Sequence, residues 1–188
     1  MTINSIYERR LYIVNEGVVF IAGAYGVGKS TLCNKLKNLL NIPAFSSGDL
    51  ISEKNGEKYG ANKVVKDKDF NQQLLIDAVN EIIINSPKLI LAGHFCIFNS
   101  TNEVEILPDF VYREIHLSKI ILLEANADII IDNLQSRDNK KYSLKEIKIL
   151  SDTENLQAKK IAKELNIPLV IHKMKFDESD VNKIISVI

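Results

Sequence analysis

Residues 23–31 have the types and spacing of a loop that binds phosphate. They read Gly-Ala-Tyr-Gly-Val-Gly-Lys-Ser-Thr and match the pattern G-x-x-x-x-G-K-S. Glycines let the backbone curl until several N–H groups point at one phosphate chain, and a helix that starts there adds the positive end of its dipole. In this pattern the lysine contacts the β- and γ-phosphates and the serine hydroxyl binds Mg²⁺. The sequence therefore predicts a site for MgATP or a similar triphosphate. The residues predicted to form it are Gly23, Ala24, Tyr25, Gly26, Val27, Gly28, Lys29, Ser30 and Thr31.

The segments on either side of this phosphate-binding loop have the patterns that the motif requires. Residues 18–22 are a short apolar run, typical of a strand buried on both faces. Leucines at 32, 36, 39 and 40 repeat on one face of a helix that ends near Pro43. A chance match to the motif would lack this context.

Strand and helix patterns continue to alternate along the chain. Apolar runs predict further strands at 43–47, 88–92, 119–123 and 169–173. Helical spacing predicts helices from 49, at 70–84, from 108, at 127–134, at 143–165 and at 179–188. Residues 11–14 are a candidate edge strand, and residues 99–105 are predicted to be a loop. Such alternation forms a parallel sheet with helices on both faces. We predict a three-layer α/β fold with a five-stranded parallel sheet.

Composition and charge restrict the functional class. Twenty-four basic side chains balance twenty-four acidic ones, so the chain lacks the broad positive charge of most nucleic-acid-binding proteins. A nucleic-acid partner is therefore not expected, and a protein partner stays open. The chain has no apolar run long enough for a membrane helix and no recognisable signal peptide. Its two cysteines, Cys33 and Cys96, form no metal or disulfide pattern. We predict a cytoplasmic protein that does not bind membranes.

Several classes of nucleotide-binding protein are disfavoured by missing motifs. The N-K-x-D element of G proteins and the L-S-G-G-Q element of ABC proteins do not occur in the sequence. The length of 188 residues leaves no room for the helical lid domain of a motor or an AAA-type ATPase. Small kinases remain, in which the mouth of the sheet binds a phosphoryl acceptor opposite ATP.

The order of further segments resembles one family of small kinases. Residues 45–50 read Phe-Ser-Ser-Gly-Asp-Leu, residues 120–125 read Ile-Ile-Leu-Leu-Glu-Ala, and residues 135–138 read Gln-Ser-Arg-Asp. These segments resemble the S-G-D-L acceptor motif, a central strand and the short lid of nucleoside monophosphate kinases, in particular archaeal-type adenylate kinases. The resemblance covers residues 17–188. It implies one kinase-like domain over 1–188, with an acceptor-side insertion at about 50–86 and a lid at about 135–143.

The resemblance also implies roles for individual residues. Lys29 and Arg137 would stabilise the transferring phosphoryl group, and Ser30 and Asp49 would support Mg²⁺. The acceptor, a nucleoside monophosphate, would lie against Ser47, Gly48, Asp49, Gln72, Gln73 and His94. From its place after a buried strand, His94 either orients an acceptor hydroxyl or phosphate or only makes local hydrogen bonds.

Three departures from the family leave the acceptor open. The third strand ends in Ala92, where adenylate kinases generally hold an aspartate. Residues 50–87 contain no arginine, and the lid region supplies only Arg137. The leading interpretation is a kinase that transfers the γ-phosphoryl group of MgATP to a nucleoside monophosphate. The alternatives are a kinase that acts on a nucleoside, a metabolite hydroxyl or an RNA 5′ end, and a nucleotide-binding switch with weak catalysis.

Overall fold

The computed structural model describes residues 16–56, 68–138 and 141–188. The candidate edge strand at 11–14 lies outside these ranges. The strands are β1 Gly17–Ala22, β2 Ala44–Ser46, β3 Lys88–Ala92, β4 Cys96–Phe98, β5 Val104–Ile106, β6 Leu117–Glu124 and β7 Leu169–Lys173. The helices are α1 Lys29–Leu39, α2 Ser47–Asn55, α3 Lys68–Asn85, α4 Phe110–Glu114, α5 Ala127–Asp138, α6 Leu144–Leu165 and α7 Glu178–Ile185.

Five parallel strands form the central sheet in the order β2-β3-β1-β6-β7. The middle strand β1 places Phe20 opposite Leu91 of β3 and opposite Ile120 of β6. This arrangement confirms the predicted α/β fold with a five-stranded parallel sheet. Because β1 lies between β3 and β6, the loop after β1 opens at the middle of the sheet's carboxyl edge, where such folds bind ligands.

Alternate residues of β1 face two separate hydrophobic clusters. Phe20 packs in a cluster with residues of α3, α4 and α6, while Ile21 packs in a cluster with residues of α1 and α7. Both side chains are almost completely buried. Helices therefore cover both faces of the sheet, which explains why β1 is a continuous apolar run rather than an alternating one.

The segment from 99 to 105, predicted to be a loop, contains the turn of a short hairpin and the first two residues of its second strand. Strands β4 and β5 pair antiparallel, with Cys96 opposite Ile106 and Phe98 opposite Val104. The Asn99 side-chain oxygen accepts from the backbone N–H groups of Thr101 and Glu103, at 2.9 Å each, and closes the turn. The predicted loop is therefore confirmed for residues 99–103, and only its last two residues belong to β5, because strands of three residues are too short to show a period of two in the sequence.

Two helix boundaries near the predicted lid bear on the site. Helix α5 extends to Asp138, beyond the predicted end at Leu134, so residues 135–138 continue a helix. Helix α6 begins with a capping box: Ser143 Oγ accepts from the Glu146 N–H, and a Glu146 carboxylate oxygen accepts from the Ser143 N–H. In the described ranges, no helix combines the length and hydropathy that crossing a bilayer requires.

Candidate active site

The phosphate-binding loop joins β1 to α1 through backbone conformations that favour glycine. Gly23 and Gly28 have φ angles of +143° and +97°. A Cβ atom on Gly23 would lie 2.5 Å from the Leu123 carbonyl oxygen of the neighbouring strand. The loop therefore passes too close to β6 for any side chain at this position.

Lys29 is the first residue of α1, and its ammonium group lies inside the curl of the loop. Its Nζ donates to the carbonyl oxygens of Gly23 at 2.6 Å and Ala24 at 2.9 Å. Only 8% of the residue is exposed, and burial, together with the positive charge of Arg137, lowers the Lys29 pKa to about 7. The negative charge of Glu154 acts in the opposite direction. A polyphosphate in the loop would restore the charged form because it brings negative charge to the buried ammonium.

ATP binding is therefore expected to be linked to proton uptake. At about pH 8, Lys29 with a pKa near 7 is mostly neutral in the free protein, and bound phosphate favours the cation. We expect uptake of up to about one proton for each ATP bound. Titration calorimetry in buffers of different ionisation enthalpy measures it from the dependence of the binding heat on the buffer. The expectation would be contradicted if the heat of ATP binding depended on the buffer in the same way for wild type and Lys29→Met.

A cavity of about 410 Å³ opens in front of the loop, within the size range of small-molecule sites. Four parts of the chain form its walls: the loop and α1, the carboxyl-terminal part of α5, His94 after β3, and the segment that follows β7 into α7. The residues of the predicted site that line it are Tyr25, Gly26, Gly28, Lys29, Ser30, Thr31, His94 and Arg137. The structure thus gathers six of the nine predicted loop residues around one space together with His94 and Arg137, while Gly23, Ala24 and Val27 do not line it.

The segment after β7 forms a wall of the cavity that the sequence did not predict. Asp180 of α7 is 2% exposed and accepts from the backbone N–H of Phe176 at 2.7 Å and of Lys175 at 3.0 Å. Its carboxylate also lies 2.7 Å from Nε2 of His172. These contacts hold Met174 and Phe176 beside Gly28, so an apolar surface adjoins the phosphate-binding loop.

The predicted acceptor residues at the start of α2 contact the neighbouring strand. The Ser47 hydroxyl donates to the Ala92 carbonyl oxygen at 3.2 Å and joins the ends of β2 and β3. Gly93 packs so closely that an added Cβ would lie 2.6 Å from the Phe20 ring and 2.7 Å from the Ser47 oxygen. Asp49 is exposed in the first turn of α2, where its N–H donates to Ser46 Oγ. Ser47 therefore has a structural role where β2 and β3 end.

The two predicted acceptor residues on α3 point in different directions. Gln72 is 7% exposed, whereas Gln73 is exposed and its amide donates to Asp77 one turn later, at 2.9 Å. Neither residue lines the cavity in front of the loop, and neither do Ser47, Gly48 and Asp49. Contact of these five residues with an acceptor therefore stays a prediction.

Glu154 is a buried carboxylate that the sequence analysis missed. It lies in the middle of α6 and is 1% exposed. Its Oε1 atom accepts from the backbone N–H groups of Phe95 at 3.0 Å and Cys96 at 3.2 Å, and lies 3.3 Å from Nδ1 of His94. A usable signal did exist, since Glu154 falls on the buried stripe of α6 that also carries Leu150 and Ala158.

A row of aromatic rings extends outward from His94. The Tyr25 ring centroid lies 4.3 Å from that of His94 and 6.0 Å from that of Phe98, which in turn lies 6.0 Å from Tyr142. Burial and the negative charge of Glu154 raise the pKa of the Tyr25 hydroxyl well above its usual value. The Tyr25 hydroxyl therefore stays protonated at neutral pH while its ring packs against that of His94.

The donor atoms near the loop suit a magnesium ion that keeps most of its ligands from nucleotide and water. Ser30 is exposed in the first turn of α1 and lines the cavity, and a hydroxyl oxygen is a hard ligand of the kind Mg²⁺ accepts. In the described part of the chain, no group of three or more His, Cys, Asp or Glu side chains could hold a metal on its own. Ser30 would thus hold the ion together with phosphate oxygens, and the predicted support from Asp49 stays a prediction.

Comparison with known proteins agrees with this architecture. A family model described as "AAA domain" matches residues 22–150, which is more than half of the chain. No curated protein shows significant sequence similarity to this chain. The matched residues run from the end of β1, through the phosphate-binding loop, into α6. The described residues after the sheet contain α7, and the helical lid domain of AAA-type ATPases is not among the elements of the described part of the chain.

Solved kinase structures share the fold at low sequence identity. Shikimate kinase from Acinetobacter baumannii, in complex with shikimate, has a TM-score of 0.59 and 14% identity, with 94% of this chain and 95% of that chain covered. Shikimate kinase from Bacteroides thetaiotaomicron has a TM-score of 0.55 and 19% identity, with 91% and 97% covered. A gluconokinase from Sinorhizobium meliloti 1021 has a TM-score of 0.51 and 12% identity, with 89% and 88% covered. The fold is that of small P-loop kinases, and the narrower likeness to adenylate kinases stays a prediction.

Proposed function

The chain belongs to the family described as "AAA domain", and we propose that it is an ATP-dependent kinase that transfers the γ-phosphoryl group to a small acceptor. The observation that carries this proposal is the cavity in front of the loop, which places the Lys29 ammonium, the start of α1 and Arg137 around one space. Phosphoryl transfer depends mainly on positioning and on stabilising negative charge, and these groups supply both.

Each charged group has a distinct role in the proposed reaction. The N–H groups of the loop and the start of α1 hold the phosphate chain, and Lys29 stabilises charge on its β- and γ-phosphates. Arg137, in the last turn of α5, contributes a second cation to the same cavity. When bound, Mg²⁺ would neutralise charge on the phosphate oxygens, with Ser30 as its protein ligand. The apolar wall at Met174 and Phe176 suits the base of the nucleotide.

Two classes of acceptor are consistent with this site. A nucleoside monophosphate is favoured by the motif Ser47-Gly48-Asp49-Leu50, which opens the acceptor site in the family that the sequence resembles. A compound without a phosphate is favoured by the acceptor side itself, since residues 47–87 contain no arginine to hold a second phosphate group. We favour the second class and keep nucleoside monophosphates as the other candidate.

One acceptor screen tests the proposal. Purified protein is incubated with Mg²⁺ and γ-labelled ATP and with separate pools of nucleoside monophosphates, nucleosides, hydroxy acids and sugar alcohols. We expect label transfer to a member of one pool and no transfer when Mg²⁺ is chelated. Tight ATP binding without transfer to any pool would reject the kinase proposal and favour the nucleotide-binding switch.

A further inference from the structure

We propose that His94 and Glu154 form an imidazole–carboxylate pair that acts as the general base for an acceptor hydroxyl, so that the acceptor is an alcohol. This inference rests on the proposed kinase function and names the acceptor class for the same site. The position of the pair supports this inference, because His94 lines the cavity and Glu154 is buried beside it.

The hydrogen bonds around Glu154 determine which His94 nitrogen carries the proton. Glu154 Oε1 accepts from the backbone N–H groups of Phe95 and Cys96, so it can act only as an acceptor toward His94 Nδ1, which lies 3.3 Å away. Nδ1 therefore carries the hydrogen in the neutral ring. The other nitrogen, Nε2, then has a free lone pair and can accept a proton from a substrate.

The pair lies where an acceptor must approach the γ-phosphate. His94 follows β3, directly beside β1 and its loop, and lines the cavity together with Lys29 and Arg137. The His94 side chain is 20% exposed, and Tyr25 packs against its ring. The Tyr112 hydroxyl donates to the His94 carbonyl oxygen at 2.7 Å and fixes the backbone of this residue. The ring is thus held in place at the edge of the reaction space.

A second oxygen on Glu154 argues against a purely structural role. Oε2 is buried and, in the part of the chain described, has no hydrogen-bond partner. Buried polar atoms are nearly always paired, and a carboxylate that served only to hold the hairpin would be expected to have both oxygens satisfied. The carboxylate raises the pKa of His94, and it thereby stabilises the imidazolium that forms when the ring accepts a proton.

The need for a base distinguishes the two acceptor classes. A phosphate acceptor has a second pKa near 6 and presents an ionised oxygen at neutral pH, so it needs no base. An alcohol must lose its proton as it attacks. In the proposed step the acceptor oxygen forms a bond to the γ-phosphorus, its proton moves to His94 Nε2, and the bond from the γ-phosphorus to the β–γ bridging oxygen breaks to release ADP. The imidazolium then gives its proton to solvent.

The charges that face His94 set the direction of the pH dependence. Burial and the positive charges of Lys29 and Arg137 lower its pKa, while Glu154 raises it. The base must be neutral, so turnover is lost as pH falls through the His94 pKa, which lies below the ordinary value of 6.5. Glu154→Gln removes the charge that raises this pKa and is expected to move the acidic limb to lower pH.

A spectroscopic test needs no acceptor. The chain has three histidines, and long-range ¹H–¹⁵N spectra of histidine-labelled protein report the tautomer of each ring. We expect neutral His94 to carry its hydrogen on Nδ1, with His94→Asn and His116→Asn used to assign the signals. A neutral His94 with its hydrogen on Nε2 would overturn the proposal, because that nitrogen could not accept a proton.

The kinetic test uses the alcohol identified in the screen and phosphorus NMR of the product. We expect a phosphate monoester, a loss in kcat of about 10²-fold or more in His94→Asn, and an unchanged Kd for ATP. His116→Asn is the matched control, since His116 is exposed and has a φ of +54°, which asparagine tolerates. Transfer to nucleoside monophosphates alone, or full activity of His94→Asn, would overturn this inference and leave the kinase proposal standing. Absence of transfer to every pool would instead reject the kinase proposal, and this inference with it.

Discussion

Replacement of Lys29 by methionine is expected to reduce phosphoryl transfer at least about 10³-fold and to leave the fold intact. The ammonium is the cation placed by the loop itself, held by the Gly23 and Ala24 carbonyls at the start of α1. Methionine fills nearly the same volume but offers no charge to the transferring group. Initial rates of acceptor phosphorylation at saturating ATP measure the loss.

The same substitution should separate catalysis from stability. Burial already lowers the Lys29 pKa to about 7, which shows that the charged form gains little from this position without a ligand. We therefore expect thermal unfolding without nucleotide to stay near that of wild type, while stabilisation by MgATP is reduced. Lys145→Met is the control, because Lys145 is exposed in the first turn of α6 and faces no part of the cavity. Wild-type rates in Lys29→Met would exclude the loop as the catalytic site.

The phosphate-binding loop and the sheet are predictable because their signals are local. Gly23 and Gly28 adopt φ angles that other residues avoid, so the loop leaves a pattern in the sequence. Strand β1 is apolar throughout because helices cover both of its faces, and the capping box at Ser143 and Glu146 is visible from spacing alone. Each of these features leaves its signal within a short stretch of the sequence.

The rest of the site depends on contacts between distant segments. Glu154 meets the N–H groups of Phe95 and Cys96 across about sixty residues, and nothing near Glu154 in the sequence predicts that hairpin β4–β5 lies beneath it. The Ser47 hydroxyl donates to the Ala92 carbonyl oxygen, forty-five residues away, a contact that no local pattern predicts. The resemblance to adenylate kinases indicated an aspartate missing at Ala92, but it gave no reason to look on α6 for a carboxylate near the same strand end.

Glu154→Leu is expected to lower the free energy of unfolding by about 2–4 kcal/mol. Leucine fills similar space but cannot accept hydrogen bonds, so the N–H groups of Phe95 and Cys96 lose their acceptor in a region where both residues are almost completely buried. The substitution also removes a buried charge, and the desolvation penalty that is relieved offsets part of this cost. Urea unfolding followed by circular dichroism measures the change, and a variant as stable as wild type would show that the two N–H groups find another partner.

Glu154→Gln completes the comparison, because its amide oxygen can still accept from both N–H groups. We expect it to lose about 1 kcal/mol or less, and the exposed neighbour Asp152→Asn about 0.5 kcal/mol or less. If Glu154 serves only to hold the hairpin, the glutamine variant should be close to wild type in both stability and turnover. If the carboxylate also supports His94, the glutamine variant should fold like wild type and still lose activity, since its neutral amide cannot stabilise the imidazolium.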